Sequence, residues 1–480
     1  MIALAITPLY LQYLEAEAYG LVGFFVMMQA WLNLLDVGLT PTLGRQLAYA
    51  RGQESGLGGV QKLLKSFEII FIVISVIVVF LILLFSNWIS AYWLRPEALS
   101  PDTISYCINL MGGMIAFRWF TSLYRSGLNG LEDHVWINII SASVTTLKFL
   151  GSLLLLMFVT TDVESFFEFQ FIIGFIELLV VRLRFYSQLP VTGNNTDWVS
   201  FDKSSVKSVA PFALSIAYTS GLWVLVSQTD KLVLSGIITL REFGYFSLVV
   251  LVAGAVNTLS SPISQAVQPR MTYLLSVGKE KEMLQLYRNS TQLVTLIVTS
   301  VSLMIAFFSE QLIYAWTGDK EAAEWSKDIL FWFALGNGVL SVVAFQYYLQ
   351  IAYGKLKLHV LGSTLSAVID VPIIIYAAIN YGALGVGISW FVLRVIWFVI
   401  WTPIVHKIFA PDLHFKWLFN DVLPIVITIS VLVFIAKKCT TIELTGARID
   451  LFLSLLGLGL MVFFLGAISS SLVRNKVAKN

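Results

Sequence analysis

The chain has 480 residues, of which 58% are hydrophobic and only 12% carry a formal charge. Soluble domains carry about 25% charged residues, so this composition, with a mean hydropathy of +0.82, excludes a soluble globular protein. The net charge of +2, without a dense run of Lys and Arg, gives no reason to expect a nucleic-acid partner. Two cysteines are too few for a disulfide framework or a cysteine-based metal site, and we expect neither a metal nor a cofactor.

Apolar windows predict an all-α polytopic membrane protein with about 14 transmembrane helices. In chain order the windows lie at residues 1–14, 20–42, 67–94, 105–127, 135–159, 165–187, 209–237, 243–266, 290–313, 328–351, 358–379, 383–407, 420–436 and 450–472. If the N-terminus is cytoplasmic, most Lys and Arg residues of the connecting segments fall on the inner side. This asymmetry predicts a multi-pass protein with both termini in the cytoplasm.

The longest polar connection suggests how the helices are grouped. We predict an N-terminal lobe of six helices at 1–188, a cytoplasmic linker at 189–207, and a C-terminal lobe of six helices at 208–410. Residues 411–480 would then form helices 13 and 14 and a cytoplasmic tail. An even number of helices in each lobe gives both lobes the same orientation, related by an axis along the membrane normal.

A polar face runs along the second predicted helix. It is formed by Gln29, Asn33, Asp36 and Thr40, spaced by four, three and four residues. The same spacing returns at Asn257, Ser261, Ser264 and Gln268, which indicates an internal duplication. A carboxylate on a spanning helix is costly when it faces lipid, so we expect Asp36 to point into the bundle.

Four basic residues lie inside predicted helices: Arg118, Lys148, Lys231 and Arg394. Each costs about 2.5 to 3.5 kcal/mol at the centre of a spanning helix, and Ser- and Asn-rich faces flank them, so they predict a hydrated cavity that binds an anionic group such as phosphate. Four acidic residues lie in the same zone: Asp36, Glu177, Asp230 and Asp370. Structural ion pairs are the alternative, for example Asp370 with Arg394 or Lys148, or Asp230 near Lys231.

Catalytic patterns are absent from the sequence. There is no GxxxxGK[ST] phosphate-binding loop, no evident Ser-His-Asp grouping and no cluster with metal-ligand spacing. The outer loops are short, whereas membrane-embedded sugar transferases and polymerases usually need a sizeable one. The sequence therefore favours a transporter without catalytic residues over an enzyme.

Several segments resemble the polysaccharide branch of the multidrug/oligosaccharidyl-lipid/polysaccharide exporter superfamily, the Wzx-type O-antigen flippases. They are TPLYLQYLEAEAYGLVGF and LLDVGLTPTLGRQLA near the start, YRSGLNGLEDHVWIN at 124–138, SQTDKLVLSGIITLREFGYFSL at 227–248 and SPISQAVQPRMTYL at 261–274. The resemblance covers most of helices 1 to 12. It implies two six-helix lobes around a central cavity, with two extra C-terminal helices.

The same resemblance implies a function in polysaccharide biosynthesis. The expected substrate is an O-antigen or related repeat unit on undecaprenyl pyrophosphate, moved across the bacterial inner membrane by ion-coupled alternating access. Arg118, Lys148, Lys231 and Arg394 would bind the substrate, and Gln29, Asn33, Arg125 and Asn257 would add polar groups to the cavity. Asp36, Asp230, Asp370 and Glu177 are candidates for coupling to a proton or sodium ion. The lipid bilayer and the polysaccharide polymerase machinery are the other expected partners.

Two rival hypotheses remain. A cation-coupled multidrug exporter of the same superfamily would favour acidic over basic residues in the cavity. A membrane sugar polymerase or ligase would extend the lipid-linked sugar rather than move it.

Overall fold

The computed structural model describes residues 2–51, 57–189, 201–440 and 447–470, which are helical with short connections and contain no β-strand. Ten helical segments in these ranges are long and apolar enough to cross a membrane. The prediction of an all-α polytopic membrane protein is therefore confirmed. By packing, the chain divides into two units, Met1–Gly244 and Tyr245–Asn480.

The described residues of the first unit form eight helices and the start of a ninth. They are α1 (Ile2–Leu32), α2 (Leu39–Arg51), α3 (Leu57–Trp88), α4 (Pro101–Gly130), α5 (His134–Thr146), α6 (Ser152–Phe158), α7 (Val163–Ser187), α8 (Lys203–Ser235) and the beginning of α9 (Leu240–Ser276). Glu15 interrupts α1 with a φ of 64°, so α1 contains the first predicted helix and the start of the second, which continues through the 3₁₀ turn Asn33–Asp36 into α2. A π-helical turn at Leu147–Gly151 joins α5 to α6, making one spanning segment.

In the second unit, the part of the chain that the structure describes forms the rest of α9 and seven further helices. These are α10 (Glu280–Phe307), α11 (Ser309–Thr317), α12 (Lys320–Ala352), α13 (Lys357–Phe409), α14 (Leu413–Trp417), α15 (Leu423–Cys439) and α16 (Arg448–Ile468). Gly382 interrupts α13 with a φ of 61°, a value that glycine adopts without steric cost. Because of this break, α13 contains two of the predicted helices, 358–379 and 383–407.

Within the described residues, each of the fourteen predicted windows falls on helices or parts of helices. The helices α4 and α7 are absent from the ten segments selected by length and composition. Both carry charged residues along their length, and α4 packs against α7 within the first unit. The two helices that look least suited to lipid therefore stabilise one another.

The proposed lobe boundaries stay a prediction. The helix α8, which we assigned to the lobe at 208–410, packs against α1 and α3 in the first unit. Most of the predicted linker at 189–207 and the tail beyond residue 470 lie outside the described residues.

The last two helices are well packed against the second unit. Ile425, Ile429 and Val433 of α15 are fully buried and form a core with residues of α10, α11 and α16. Near one end of this core, Arg288 of α10 forms an ion pair with buried Asp421, at 2.5 Å from Nε to Oδ2. Gln292 also donates to Asp421 Oδ1, at 2.7 Å. These contacts fix the position of α15 through both apolar and polar groups.

Candidate functional site

The site begins with the close packing of α4 against α7. A Cβ atom at Gly113 would lie 2.6 Å from the ring of Phe171, and one at Gly127 would lie 2.4 Å from the ring of Phe185. Real Cβ atoms do not approach so closely, so these two positions need glycine. They lie on either side of Arg118 and Arg125 along α4, and the close approach brings the basic residues within reach of α7.

Glu177 of α7 is the centre of this cluster. Its Oε1 atom accepts a hydrogen bond from Arg125 Nη2 at 2.7 Å, and its Oε2 atom accepts one from Lys148 Nζ, also at 2.7 Å. The Glu177 side chain is 11% exposed, whereas those of Arg125 and Lys148 are 27% and 26% exposed. One carboxylate therefore bridges two cations from different helices.

Lys148 lies in the π-helical turn Leu147–Gly151. Such a turn widens a helix and leaves a backbone carbonyl without its usual partner, and it occurs frequently at functional sites. Here the side chain of Gln170 on α7 donates to the Lys148 carbonyl at 3.2 Å and to Ser152 Oγ at 2.9 Å. Sequence reasoning missed Gln170, although its position two helical turns from Glu177 places both on one face of α7.

Arg118 completes the cluster with a neutral partner. Gln29 of α1, with its amide oxygen turned toward the guanidinium, accepts from Arg118 Nε at 2.7 Å and from Nη1 at 3.1 Å. Among the described residues, no carboxylate lies within salt-bridge distance of Arg118, and its side chain is exposed although it lies mid-helix. Three cations therefore share the single charge of Glu177, which leaves a net charge of +2.

The other residues of the polar face that begins at Gln29, namely Asn33, Asp36 and Thr40, lie outside this cluster. Asn33 is exposed at the start of the short 3₁₀ turn Asn33–Asp36. Asp36 Oδ1 accepts from the Thr40 backbone N–H at 3.0 Å and from Thr40 Oγ1 at 2.8 Å. This bonding pattern caps the start of α2, a structural role that stands beside the predicted role in ion coupling.

Lys231 of α8 is paired locally. Its Nζ atom lies 3.2 Å from Oδ1 of the adjacent Asp230 and donates to the Ser227 carbonyl at 2.6 Å. Asp230 is almost fully buried. The structural pairing of these neighbours, which the sequence left open, is the arrangement observed.

Arg394 of α13 is enclosed in the second unit. Its Nη2 atom donates to Asp370 Oδ2 at 2.7 Å, with side-chain exposures of 7% and 0%. Trp397 Nε1 and Ser366 Oγ donate to the same carboxylate, at 3.0 and 2.6 Å. The guanidinium also lies 4.4 Å from the centroid of the Trp390 ring. Of the two pairings considered for Asp370, the one with Arg394 is observed, and Lys148 pairs with Glu177.

Asn257 joins two helices of the second unit. It donates to Asn337 Oδ1 at 3.1 Å and accepts from Ser341 Oγ at 2.7 Å, which connects α9 to α12. No group of three or more His, Cys, Asp or Glu residues able to hold a metal ion occurs in the described ranges.

A cavity of about 430 Å³ lies between α10, α11 and α16 of the second unit. Its walls include Met304, Phe308, Leu456 and Gly459, and Ser300 is the one polar residue among the lining residues. Such walls suit a hydrocarbon chain and not a charged group.

The helical arrangement is similar to that of known transporter structures. In fold, the chain matches the lipid II flippase MurJ in an inward closed conformation with a TM-score of 0.69, at 14% sequence identity, over 97% of this chain and 98% of that chain. It also matches a multidrug resistance MATE family transporter of the MOP superfamily, in an inward-facing conformation, with a TM-score of 0.67 at 13% identity, over 85% of this chain and 95% of that one. The chain has the fold of the MOP exporter superfamily.

The amino-acid sequence agrees with this MOP exporter fold. The chain is 22% identical over 377 residues to a Shigella flexneri protein described as a "Putative O-antigen transporter", covering 78% of this chain and 87% of that protein. No family model matches the chain. The resemblance to the polysaccharide branch of the superfamily is confirmed. The matched proteins are named as transporters and flippases, which agrees with the prediction of a transporter rather than an enzyme.

Proposed function

We propose that this protein is a flippase for a lipid-linked oligosaccharide. The substrate is an O-antigen or related polysaccharide repeat unit carried on undecaprenyl pyrophosphate. The protein moves it across the bacterial inner membrane, with both of its termini in the cytoplasm, and delivers it to the polysaccharide polymerase machinery. Movement of the two predicted lobes gives alternating access, driven by a proton or sodium ion.

The cluster of Arg118, Arg125, Lys148 and Glu177 carries this proposal. Its net charge of +2 lies on α4, on α7 and on the spanning segment His134–Phe158, inside a helical membrane protein, where an uncompensated cation is costly and marks a functional site. Arg and Lys form strong, short hydrogen bonds to phosphate oxygens. A pyrophosphate group would therefore offset the excess charge that Glu177 alone leaves.

The lipid part of the substrate needs a different environment. The apolar cavity between α10, α11 and α16 supplies a hydrocarbon-binding surface inside a membrane protein. We propose that it accommodates part of the polyprenyl carrier. The relative's name points to O-antigen, and the shared fold includes a lipid II flippase, which supports a lipid-linked substrate.

The charge of the cluster also separates this function from its main rival. A multidrug exporter with cationic substrates would gain nothing from a site with three cations and one carboxylate. The carboxylates proposed for ion coupling differ in their contacts. Asp370 pairs with Arg394, Asp230 pairs with Lys231, and Asp36 accepts hydrogen bonds from Thr40. Asp230 and Asp370 each pair with one cation, whereas Glu177 is the coupling candidate that bridges two cations, Arg125 and Lys148.

Complementation of an O-antigen flippase-deficient strain tests the proposal. We expect the wild-type protein to restore surface polysaccharide, and the triple variant Arg118→Gln, Arg125→Gln, Lys148→Gln to fail while inserting at normal levels. As a control, Arg184→Gln removes a basic residue from a partly exposed ion pair with Asp133 and should complement. Full complementation by the triple variant would contradict the proposal.

A further inference from the structure

The position of Glu177 raises a problem for anion binding. Both carboxylate oxygens are hydrogen-bonded to the cations that would receive a phosphate, at 2.7 Å each. A carboxylate oxygen and a phosphate oxygen accept hydrogen bonds from Arg and Lys with similar geometry. Glu177 therefore fills the place between Arg125 and Lys148 that an anionic group of a substrate would use.

We propose that Glu177 is a displaceable counter-ion, which occupies the anion-binding site of the first unit when substrate is absent and competes with the phosphate groups of the substrate. The inference rests on the proposed function, since it concerns the same cluster. It adds a positioning residue that controls how tightly the anion is held and how readily it leaves.

The surroundings of Glu177 support exchange rather than a permanent pair. Arg125 and Lys148 are each about one-quarter exposed, so an incoming group can reach them. The Nε atom of Arg125 is buried and has no hydrogen-bond acceptor among the described residues. The same unpaired Nε occurs in the enclosed Arg394 pair, so this donor supports exchange at Arg125 only together with the greater exposure of the Arg125 side chain, 27% against 7%.

Arg118 supplies the first contact for that ligand. Its guanidinium donates hydrogen bonds to the neutral amide oxygen of Gln29 and interacts electrostatically with Glu177 and Arg125. It lies seven residues before Arg125, two turns along the same face of α4. A phosphate bound to Arg118 would therefore be next to the Glu177 bridge, and a second phosphate could replace the carboxylate.

This arrangement explains why a strongly charged substrate can be released. A site with three free cations would hold a pyrophosphate tightly, whereas a carboxylate fixed on α7 returns to Arg125 and Lys148 as the anion departs. Removing the carboxylate charge should tighten binding and slow release. Ordinary loss of packing would weaken binding instead.

Binding of inorganic pyrophosphate to the purified full-length protein in lipid nanodiscs tests the inference. We expect Glu177→Gln to lower the dissociation constant on the order of tenfold, because at an effective dielectric constant of about 20 a unit charge at hydrogen-bonding distance has a large effect. In a flipping assay, the same variant should lower both the half-saturating substrate concentration and the maximal rate. The matched control is Glu168→Gln on the same helix, where the carboxylate accepts from Tyr106 and does not contact the cluster.

Glu177→Asp provides a second variant that keeps the charge. Its carboxylate is one methylene shorter and cannot bridge both cations, so its dissociation constant should lie between those of the wild type and Glu177→Gln. If Glu177→Gln does not fold, Glu177→Asp alone must bind pyrophosphate more tightly than the wild type.

The outcomes separate the two proposals. If the wild type binds pyrophosphate and neither Glu177 variant binds it more tightly, the counter-ion role is wrong and the proposed function stands. If neither the wild type nor any Glu177 variant binds pyrophosphate, the counter-ion role is again overturned, and complementation by the wild type then decides the proposed function separately.

Discussion

In the first unit three cations, Arg118, Arg125 and Lys148, share one carboxylate, whereas in the second unit Arg394 has Asp370 to itself. The Arg394 pair is sealed by Trp397, Ser366 and the Trp390 ring, and both charged groups are buried. The cluster of the first unit is part-exposed and carries excess positive charge. An embedded cation is therefore not in itself evidence of a binding site, and what distinguishes the two cases is whether the protein supplies enough negative charge.

The largest effect should come from breaking the sealed pair. We expect Asp370→Ala to destabilise the protein by about 3 to 5 kcal/mol, because it leaves Arg394 buried without a counter-charge. Thermal unfolding of purified protein measures this. The double variant Asp370→Leu, Arg394→Met should recover most of the stability, and should still complement the flippase-deficient strain. Loss of complementation by a stable double variant would return Arg394 to the list of substrate-binding residues.

Removing Arg118 should have the opposite effect: the flipping rate should fall and the stability should change little. Arg118→Gln is expected to lower the flipping rate on the order of a hundredfold, since a lost charge-assisted contact to phosphate is worth about 1.5 to 3 kcal/mol and Arg118 is the cation without a carboxylate partner. Its unfolding temperature should change little, because no ion pair is broken. A large fall in unfolding temperature with normal flipping would show that Arg118 serves the fold.

Lys148 should behave between these extremes. Lys148→Gln keeps a hydrogen-bond donor but removes one of the two charges that Glu177 bridges, so Arg125 retains the carboxylate. We expect a several-fold loss of flipping rate and a loss of stability below about 1 kcal/mol, the usual range for a partly exposed pair. Combining Lys148→Gln with Arg118→Gln should lower flipping by less than the product of the two single effects, because both residues act on one site. Single effects that simply multiply would place the two residues outside a common site.

The smallest expected effect on the flipping rate comes from replacing Asp36. Asp36 caps the start of α2, so Asp36→Ala should cost about 0.5 to 2 kcal/mol of stability. Asp36→Asn keeps the oxygen that accepts from Thr40 and removes the charge, so it should match the wild type in both stability and flipping. If Asp36→Asn abolishes ion-driven flipping at normal stability, the carboxylate has the coupling role that its position in the sequence suggests.

The sequence by itself determined that the protein is all-helical and polytopic, and it placed the helices in their order along the chain. Hydrophobic length and helical periodicity are local properties, and they identified the helical windows, the polar faces beside Arg118 and Lys148, and the embedded carboxylates Glu177 and Asp370. The motifs near Asp36 and Asp230 also indicated the polysaccharide branch of the exporter superfamily. Each of these inferences depends on residues that are close together in the chain.

Only the tertiary structure decided which charges meet. Arg125 and Glu177 are 52 residues apart and Arg288 and Asp421 are 133 apart, and their pairing depends on how neighbouring helices pack. Close approach of α4 and α7 at Gly113 and Gly127 brings Arg125 within reach of Glu177, and the π-helical turn holds Lys148 beside the same carboxylate. The sequence shows that an embedded charge needs a partner, but several partners satisfy that requirement equally, and helix packing selects one.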